Sequence, residues 1–286
     1  MRLFVLVLLA FASACGSNRD PMFYRIVQFS AVSKLELGGG HVYFSEGNQL
    51  KRVPKAGGPI ETVVMAGVAD FAATDGHVYA ATNAGVVHLT LQTGGGIVST
   101  DTLSSEPALA VAADANGVTW VNCSAVTSAA LDGSNQVRTP LPGPCANQLT
   151  RLAIDSSTVY GMNTAGQWYT SRSGGEVKPL AAEKCSRLEA AGGWLYCSDR
   201  DFGLRRFSPR TKDVELVIDG QVHTFSIGES RIYAGVGQDL VSSPRNTSRQ
   251  EVLGTYAAIS AIALDASDVY FVNTEGNLGL LLRTAQ

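Results

Sequence analysis

Charge is scarce in this sequence. Only 16% of the 286 residues are charged, and the net charge of -3 comes from scattered acids and bases rather than blocks of one sign. Nucleic acid requires a concentrated basic surface that displaces counterions, so that partner class is excluded, as is a polybasic membrane patch. The apolar run Leu3 to Phe11 reaches only about 14 Å as a helix, too short to span a bilayer. Catalytic signatures are missing too: there is no G-x-S-x-G, no H-E-x-x-H, no glycine-rich phosphate loop ending in Lys-Ser/Thr and no C-x-x-C. The four histidines (His41, His77, His88 and His223) do not converge in the repeat described below. A metal site needs several ligands brought together, so they read as structural, and no cofactor is expected.

Glycine, by contrast, is plentiful, with 30 residues, and 45% of the chain is hydrophobic. Low charge with many glycines suits short strands joined by tight turns. The N-terminus reads as a targeting segment. Arg2 precedes the apolar run, which ends in Ala12-Ser13-Ala14-Cys15-Gly16. Small residues before a cysteine resemble the bacterial lipobox, with Ala12 where leucine is usual; Ala12-x-Ala14 is equally a plain secretory cleavage site. Both readings export the protein and only one anchors it. Five cysteines leave one odd thiol in an oxidising compartment, and lipidation of Cys15 leaves Cys123, Cys145, Cys185 and Cys197 as an even set. The expected organisation is a signal peptide over 1–14, an anchor linker over 15–21 and a folded domain over 22–286. The expected location is the bacterial outer membrane or periplasm, with the membrane reached through lipidated Cys15.

Internal periodicity decides the fold. An apolar-Tyr-x segment recurs at Val42-Tyr43-Phe44, Val78-Tyr79-Ala80, Val159-Tyr160-Gly161, Leu195-Tyr196-Cys197, Ile232-Tyr233-Ala234 and Val269-Tyr270-Phe271, with Val118-Thr119-Trp120 as the seventh copy. Taking residues 43, 79, 119, 160, 196, 233 and 270 as anchors, the spacings are 36, 40, 41, 36, 37 and 37. That is too short for a βαβ unit with loops, but it fits four short strands and their turns. Eight residues before each anchor stand Leu35, Phe71, Val111, Leu152, Leu188, Phe225 and Ile262. Six before it stand Leu37, Ala73, Ala113, Ile154, Ala190, Ile227 and Leu264. Two wholly apolar columns two residues apart describe a strand with one face on a core. The last repeat ends before its fourth strand, and the strand-like Phe23 to Phe29 precedes the first repeat. We therefore expect an all-β, seven-bladed β-propeller of four-stranded blades, its ring closed by an N-terminal strand that completes the last blade.

Val42-Tyr43-Phe44, followed by Gly47-Asn48-Gln49-Leu50-Lys51-Arg52-Val53-Pro54-Lys55-Ala56-Gly57-Gly58, resembles the repeat of YWTD-type propellers and their bacterial relatives with V-P-K-x-G-G. The resemblance implies the propeller fold and, as is typical of that family, binding rather than catalysis.

Two polar columns flank the inner hairpin of each repeat. Nine residues before the anchors stand Lys34, Asp70, Ala110, Arg151, Arg187, Thr224 and Ala261; three after them stand Glu46, Thr82, Asn122, Asn163, Asp199, Val236 and Asn273. A hairpin turning three residues before the anchor pairs Lys34 with Glu46, Arg187 with Asp199 and Arg151 with Asn163. One reading is cross-strand ion pairs. The other is an anion-recognising channel mouth, since guanidinium groups suit carboxylate or phosphate. Lys34, Arg151, Arg187 and Asp199 are thus the candidate ligand-binding residues. The four remaining cysteines fall on the face of the blade connections, where sequence-local pairing gives Cys123–Cys145 and Cys185–Cys197.

The leading expectation is a monomeric, non-enzymatic lipoprotein that binds a protein or glycan through the channel-mouth face, or serves as an envelope scaffold. The alternative is a metal-dependent hydrolase of the sugar-lactonase type, which needs a Glu, an Asn and an Asp around a cation; Glu46, Asn122 or Asn163, and Asp199 supply those types.

Overall fold

A computed structural model describes residues 24–29, 32, 34–141, 151–163, 166–181, 185–199, 201–275 and 278–285. The leader, Cys15 and Cys145 lie outside them. Among the described residues no helix is long and apolar enough to cross a membrane.

The chain is an all-β propeller of four-stranded blades. Six sheets are each built from four consecutive antiparallel strands. A seventh takes Ile259–Leu264, Asp268–Glu275 and Leu278–Ala285, with Tyr24–Phe29 paired along its outer edge from Tyr24↔Arg283 to Phe29↔Gly279. The third strands of blades one, two and five are Gln49–Pro54, Gly85–Leu91 and Gly203–Phe207, and the fourth strands of blades one and five are Glu61–Val64 and Val214–Ile218. The 40-residue interval between anchors 79 and 119 owes part of its length to the outermost strand of blade two, Ile97–Ser104, which is eight residues long.

Each strand alternates side chains between two faces, and in these blades both faces are apolar. The described core accordingly divides into seven clusters, each between neighbouring blades. Tyr43 and Leu50 of blade one meet Phe71 and Val78 of blade two. Tyr196 and Leu204 of blade five meet Phe225 and Ile232 of blade six. Val42 and Phe44 of blade one meet Tyr270 and Val272 of the last sheet. The repeated tyrosines Tyr43, Tyr79, Tyr160, Tyr196, Tyr233 and Tyr270 are all buried.

The residue after the tyrosine varies for reasons of volume. A Cβ on Gly161 would lie 2.0 Å from the Trp168 ring, so the third strand of blade four fills the space an aromatic takes elsewhere. In blade five the position is Cys197, disulfide-bonded to Cys185 with 5.3 Å between Cα atoms. Closing so short a loop contributes about 3 kcal/mol. Cys123 is disulfide-bonded as well; its expected pairing with Cys145 lies outside the described residues.

Candidate functional site

Every blade runs from its innermost strand outward, and the chain then crosses to the innermost strand of the next. The seven innermost strands therefore run the same way along a central channel: Leu35–Gly38, Val68–Ala73, Ala110–Asp114, Arg151–Asp155, Arg187–Ala191, Val222–Ile227 and Ile259–Leu264. They enclose a cavity of about 640 Å³ whose lining includes Lys34, Glu36, Asp70, Arg151, Arg187 and Glu189.

The expected pairs across the inner hairpins do not form. Arg187 lies opposite Ser198, not Asp199, and Arg151 lies opposite Met162, not Asn163. The cause is the turn. Gly39 and Gly40, and likewise Gly192 and Gly193, all have positive φ, between 52° and 81°. Such two-residue turns centre the hairpin between residues rather than on one, and a one-residue slip sends a side chain to the opposite face. Glu46 consequently bonds Lys51 of its own blade, and Asp199 accepts a hydrogen bond from the Asp201 amide at 2.7 Å.

Lys34 turns instead toward the neighbouring blade. Its ammonium lies 2.8 Å from Asp70 and 3.5 Å from Glu36, and it donates to the Phe71 carbonyl at 2.5 Å. Arg187 lies 3.6 Å from Glu189. Arg151 is exposed and has no side-chain partner among the described residues.

Glu36 and Glu189 were not singled out by the repeat, although a signal was present. Both stand seven residues before the anchor, between the two apolar columns and therefore on the opposite face of the strand, and both line the channel. That column reads Glu36, Ala72, Ala112, Ala153, Glu189, Ser226 and Ala263: two acids in a ring otherwise of small residues.

These charges also complete the backbone. The channel-side edge of an innermost strand has no neighbouring strand, which leaves amides and carbonyls to be satisfied otherwise. Asp70 accepts from the Val111 amide of blade three at 3.0 Å, and Glu189 accepts from the Ile227 amide of blade six at 3.0 Å. Ser260 of the last sheet donates to the Val32 carbonyl at 2.7 Å.

These groups line the channel, and between a fifth and a third of the side-chain surface of Lys34, Glu36 and Asp70 stays open to it. Burial pulls the Lys34 ammonium down, but Asp70 and Glu36 outweigh it and the net shift is upward. Burial raises the Glu36 carboxyl against the pull of Lys34 and Arg187. Burial pushes Glu189 up to about 7, opposed by Arg187 and reinforced by the charge of Glu36.

No three histidine, cysteine or acidic side chains come together as a metal site among the described residues. Of the residue types a lactonase would use, Glu46 is held by Lys51, and Asn122 bonds Glu106 and caps the Ser124 and Ala125 amides. Two histidines do meet, contrary to expectation. His77 Nδ1 lies 2.9 Å from His88 Nε2, and His88 stacks on Tyr79 with ring centroids 4.9 Å apart. Burial holds both imidazoles below the usual value.

No protein-family model matches the chain, and no curated protein matches its sequence. Among solved structures it is similar to the WD40 β-propeller domain of Doa1, with a TM-score of 0.65 and 10% identity over 91% of this chain and 96% of that one. It is similar to YCF48 bound to D1 peptide, with a TM-score of 0.65 and 9% identity over 94% and 96%. The computationally designed Ika8 protein matches with a TM-score of 0.58 and 12% identity over 90% and 98%. At such identities the likeness establishes the β-propeller fold alone.

Glu189 gives the site a measurable pH signature. Its carboxyl is raised from 4.5 to about 7 on folding, so between those values the folded protein holds more protons than the unfolded chain. Stability is present at low pH in this window and falls as pH rises through 7. Glu189→Gln is expected to flatten the decline in melting temperature between pH 5 and pH 7; identical slopes for variant and wild type would refute the assignment.

Proposed function

We propose that the chain is a non-enzymatic binding module of the cell envelope, recognising a protein partner at the channel mouth through Arg151. The observation that carries this reading is the state of the charges. Lys34, Asp70 and Glu189 are engaged across blades and Arg187 pairs with Glu189 of its own strand, whereas Arg151 stands exposed at the start of its strand, without a side-chain partner among the described residues. A guanidinium at a rigid rim suits a carboxylate, from an acidic side chain or a chain terminus. A propeller of similar fold, YCF48, is known bound to a peptide, which is consistent with this mode. Arg187, expected beside Arg151 as a second anion ligand, is better read as part of the channel wall.

Peptides selected from a displayed library on the immobilised protein test this reading. They are expected to carry a carboxylate and to bind Arg151→Ala about 10- to 100-fold more weakly, the loss of one charge-assisted hydrogen bond, with the melting temperature unchanged. Undiminished binding to Arg151→Ala would end the proposal.

We also propose that Tyr24–Phe29 locks the blades into a closed seven-bladed ring. The last sheet has three consecutive strands of its own, and this segment supplies the fourth. Deleting residues 24–29 leaves the edge of Leu278–Ala285 open and is expected to cause aggregation or a lower melting temperature. An unchanged melting temperature argues against the lock.

Export and anchoring through Cys15 complete the reading, motivated by the Leu3 to Phe11 run and the small residues before that cysteine. Metabolic palmitate labelling is expected in the native chain and absent in Cys15→Ser; persistent label in the variant rules the anchor out.

A further inference from the structure

The innermost strands are aligned and direction alternates across each sheet, so the outermost strands are aligned as well. Each starts at the face of the disc opposite the channel mouth where Arg151 stands, and Tyr24–Phe29 does the same. Exposed apolar side chains collect at that end. Eight large hydrophobic residues are exposed among the described ones. Six of them stand just before an outer strand or within its first three residues: Ile60, Ile97, Val98, Val214, Leu216 and Val252. Apolar residues scattered over a surface are ordinary, but a shared end is not scatter. They belong to blades one, two, five and six, two on each side of the last sheet, which packs against blade six and blade one. Blades three and four, across the disc, contribute none among the described residues.

Charge at this end is divided in a similar way. The turns between the third and fourth strands of blades five and six, one repeat apart, carry Arg210, Lys212, Arg245 and Arg249. They lie side by side, since Arg206 of blade five donates to the Arg245 carbonyl at 2.8 Å. The flanking Arg206 and Arg231 are matched by Glu215 and Glu251. Against the four turn cations stand Asp213 and Glu229, which leaves two positive charges in excess. At the same end of blades three and four, Arg172 pairs with Asp114 and Arg138 with Glu106; Asp132, Asp155 and Glu176 then outnumber Lys178. Blades one and two add Asp75 and Asp101, so the positive excess belongs to blades five and six. The sequence has no basic block and therefore pointed away from a polybasic membrane patch; the fold makes one by setting two repeats together.

We propose that this arc of the rim rests on a bilayer containing anionic phospholipid. Its apolar side chains enter the headgroup boundary, and the two basic turns meet the lipid phosphates. The chain itself argues for that occupant. Tyr24 starts its strand at the same end, in the sheet at the middle of the arc. The nine residues from Cys15 to Tyr24 reach at most about 30 Å. A lipid on Cys15 therefore holds this end of the disc to the membrane and turns the Arg151 mouth away from it. That orientation rests on the anchor proposed above, whereas the contact surface does not.

Vesicle sedimentation tests the proposal on the chain from residue 15 onward carrying Cys15→Ser, which keeps every described residue and bears no lipid. Vesicles of phosphatidylglycerol and phosphatidylcholine in equal parts are compared with phosphatidylcholine alone, at about 20 mM salt. Binding is expected to the mixed vesicles, about tenfold or more weaker to phosphatidylcholine, and lost at about 500 mM salt as the charges are screened. Arg210→Glu combined with Lys212→Glu and Arg249→Glu should weaken it about tenfold or more. Val98→Ser combined with Val214→Ser and Val252→Ser should weaken it by a similar factor. All six positions are exposed, and melting curves check that both variants keep the fold. Palmitate labelling reports on the anchor separately, so failure of one reading is not mistaken for failure of the other. No binding to the mixed vesicles, equal binding to phosphatidylcholine alone, or full binding by either folded variant would each overturn the membrane contact.

Discussion

A sheet that is apolar on both faces cannot stand alone in water, and every blade of this chain is such a sheet. Tyr43 packs toward blade two while its neighbour Phe44, on the other face of the same strand, packs toward the last sheet. Each blade thus needs two neighbours, and the need passes from blade to blade until the last meets the first. Val42, Phe44, Tyr270 and Val272 share one cluster even though more than 200 residues separate the two pairs. At roughly 25 cal/mol per Å² of apolar surface removed from water, these side chains make the interfaces between blades the main source of stability. Hydrogen bonding within each sheet gives the blade its shape; burial between sheets is what gathers the blades around an axis.

The same arrangement creates a problem at the centre. Innermost strands pair on one side only, and their other edges line the channel with backbone groups that lack a strand partner. Polar side chains reaching across blades answer it: Lys34 to a carbonyl of blade two, Asp70 to an amide of blade three, Glu189 to an amide of blade six, Ser260 to the Val32 carbonyl. Ion pairs between side chains link neighbouring blades as well, Lys55 with Asp265 and Arg172 with Asp114, each at 2.8 Å. Part of the little charge this protein has thus serves strand edges that the fold would otherwise leave unsatisfied.

The propeller was legible in the sequence because the apolar columns at eight and six residues before the anchor repeat in every copy, and a period of two is enough to define a strand and its buried face. The inner hairpin register was not legible to the residue. Whether a turn centres on one residue or between two depends on backbone angles that the composition of Gly39-Gly40 or Gly192-Gly193 permits but does not dictate. That single step moved the expected partners of Arg187 and Lys34 from Asp199 and Glu46 to Glu189 and Asp70. The glutamates were passed over for a related reason. Columns that repeat in every copy carry the fold, whereas Glu36 and Glu189 interrupt a column of small residues and have no counterpart in the other five copies.

That contrast separates two kinds of channel residue. Asp70 and Lys34 have geometry that backbone satisfaction alone explains, since each reaches a specific main-chain atom of the next blade. Glu36 reaches none; it lies between Lys34 and Arg187, raised by burial, with a third of its side-chain surface open to the cavity. A glutamine or alanine there would leave Lys34 and Arg187 with one carboxylate fewer, and removing one partner from a part-buried ion pair is unfavourable. Its partner acid Glu189 does bond the backbone, yet a neutral amide oxygen could accept from Ile227 equally well. The negative charge at both positions is matched instead by Lys34 and Arg187, so the two glutamates belong to an ion-pair network that ties three blades together around the channel.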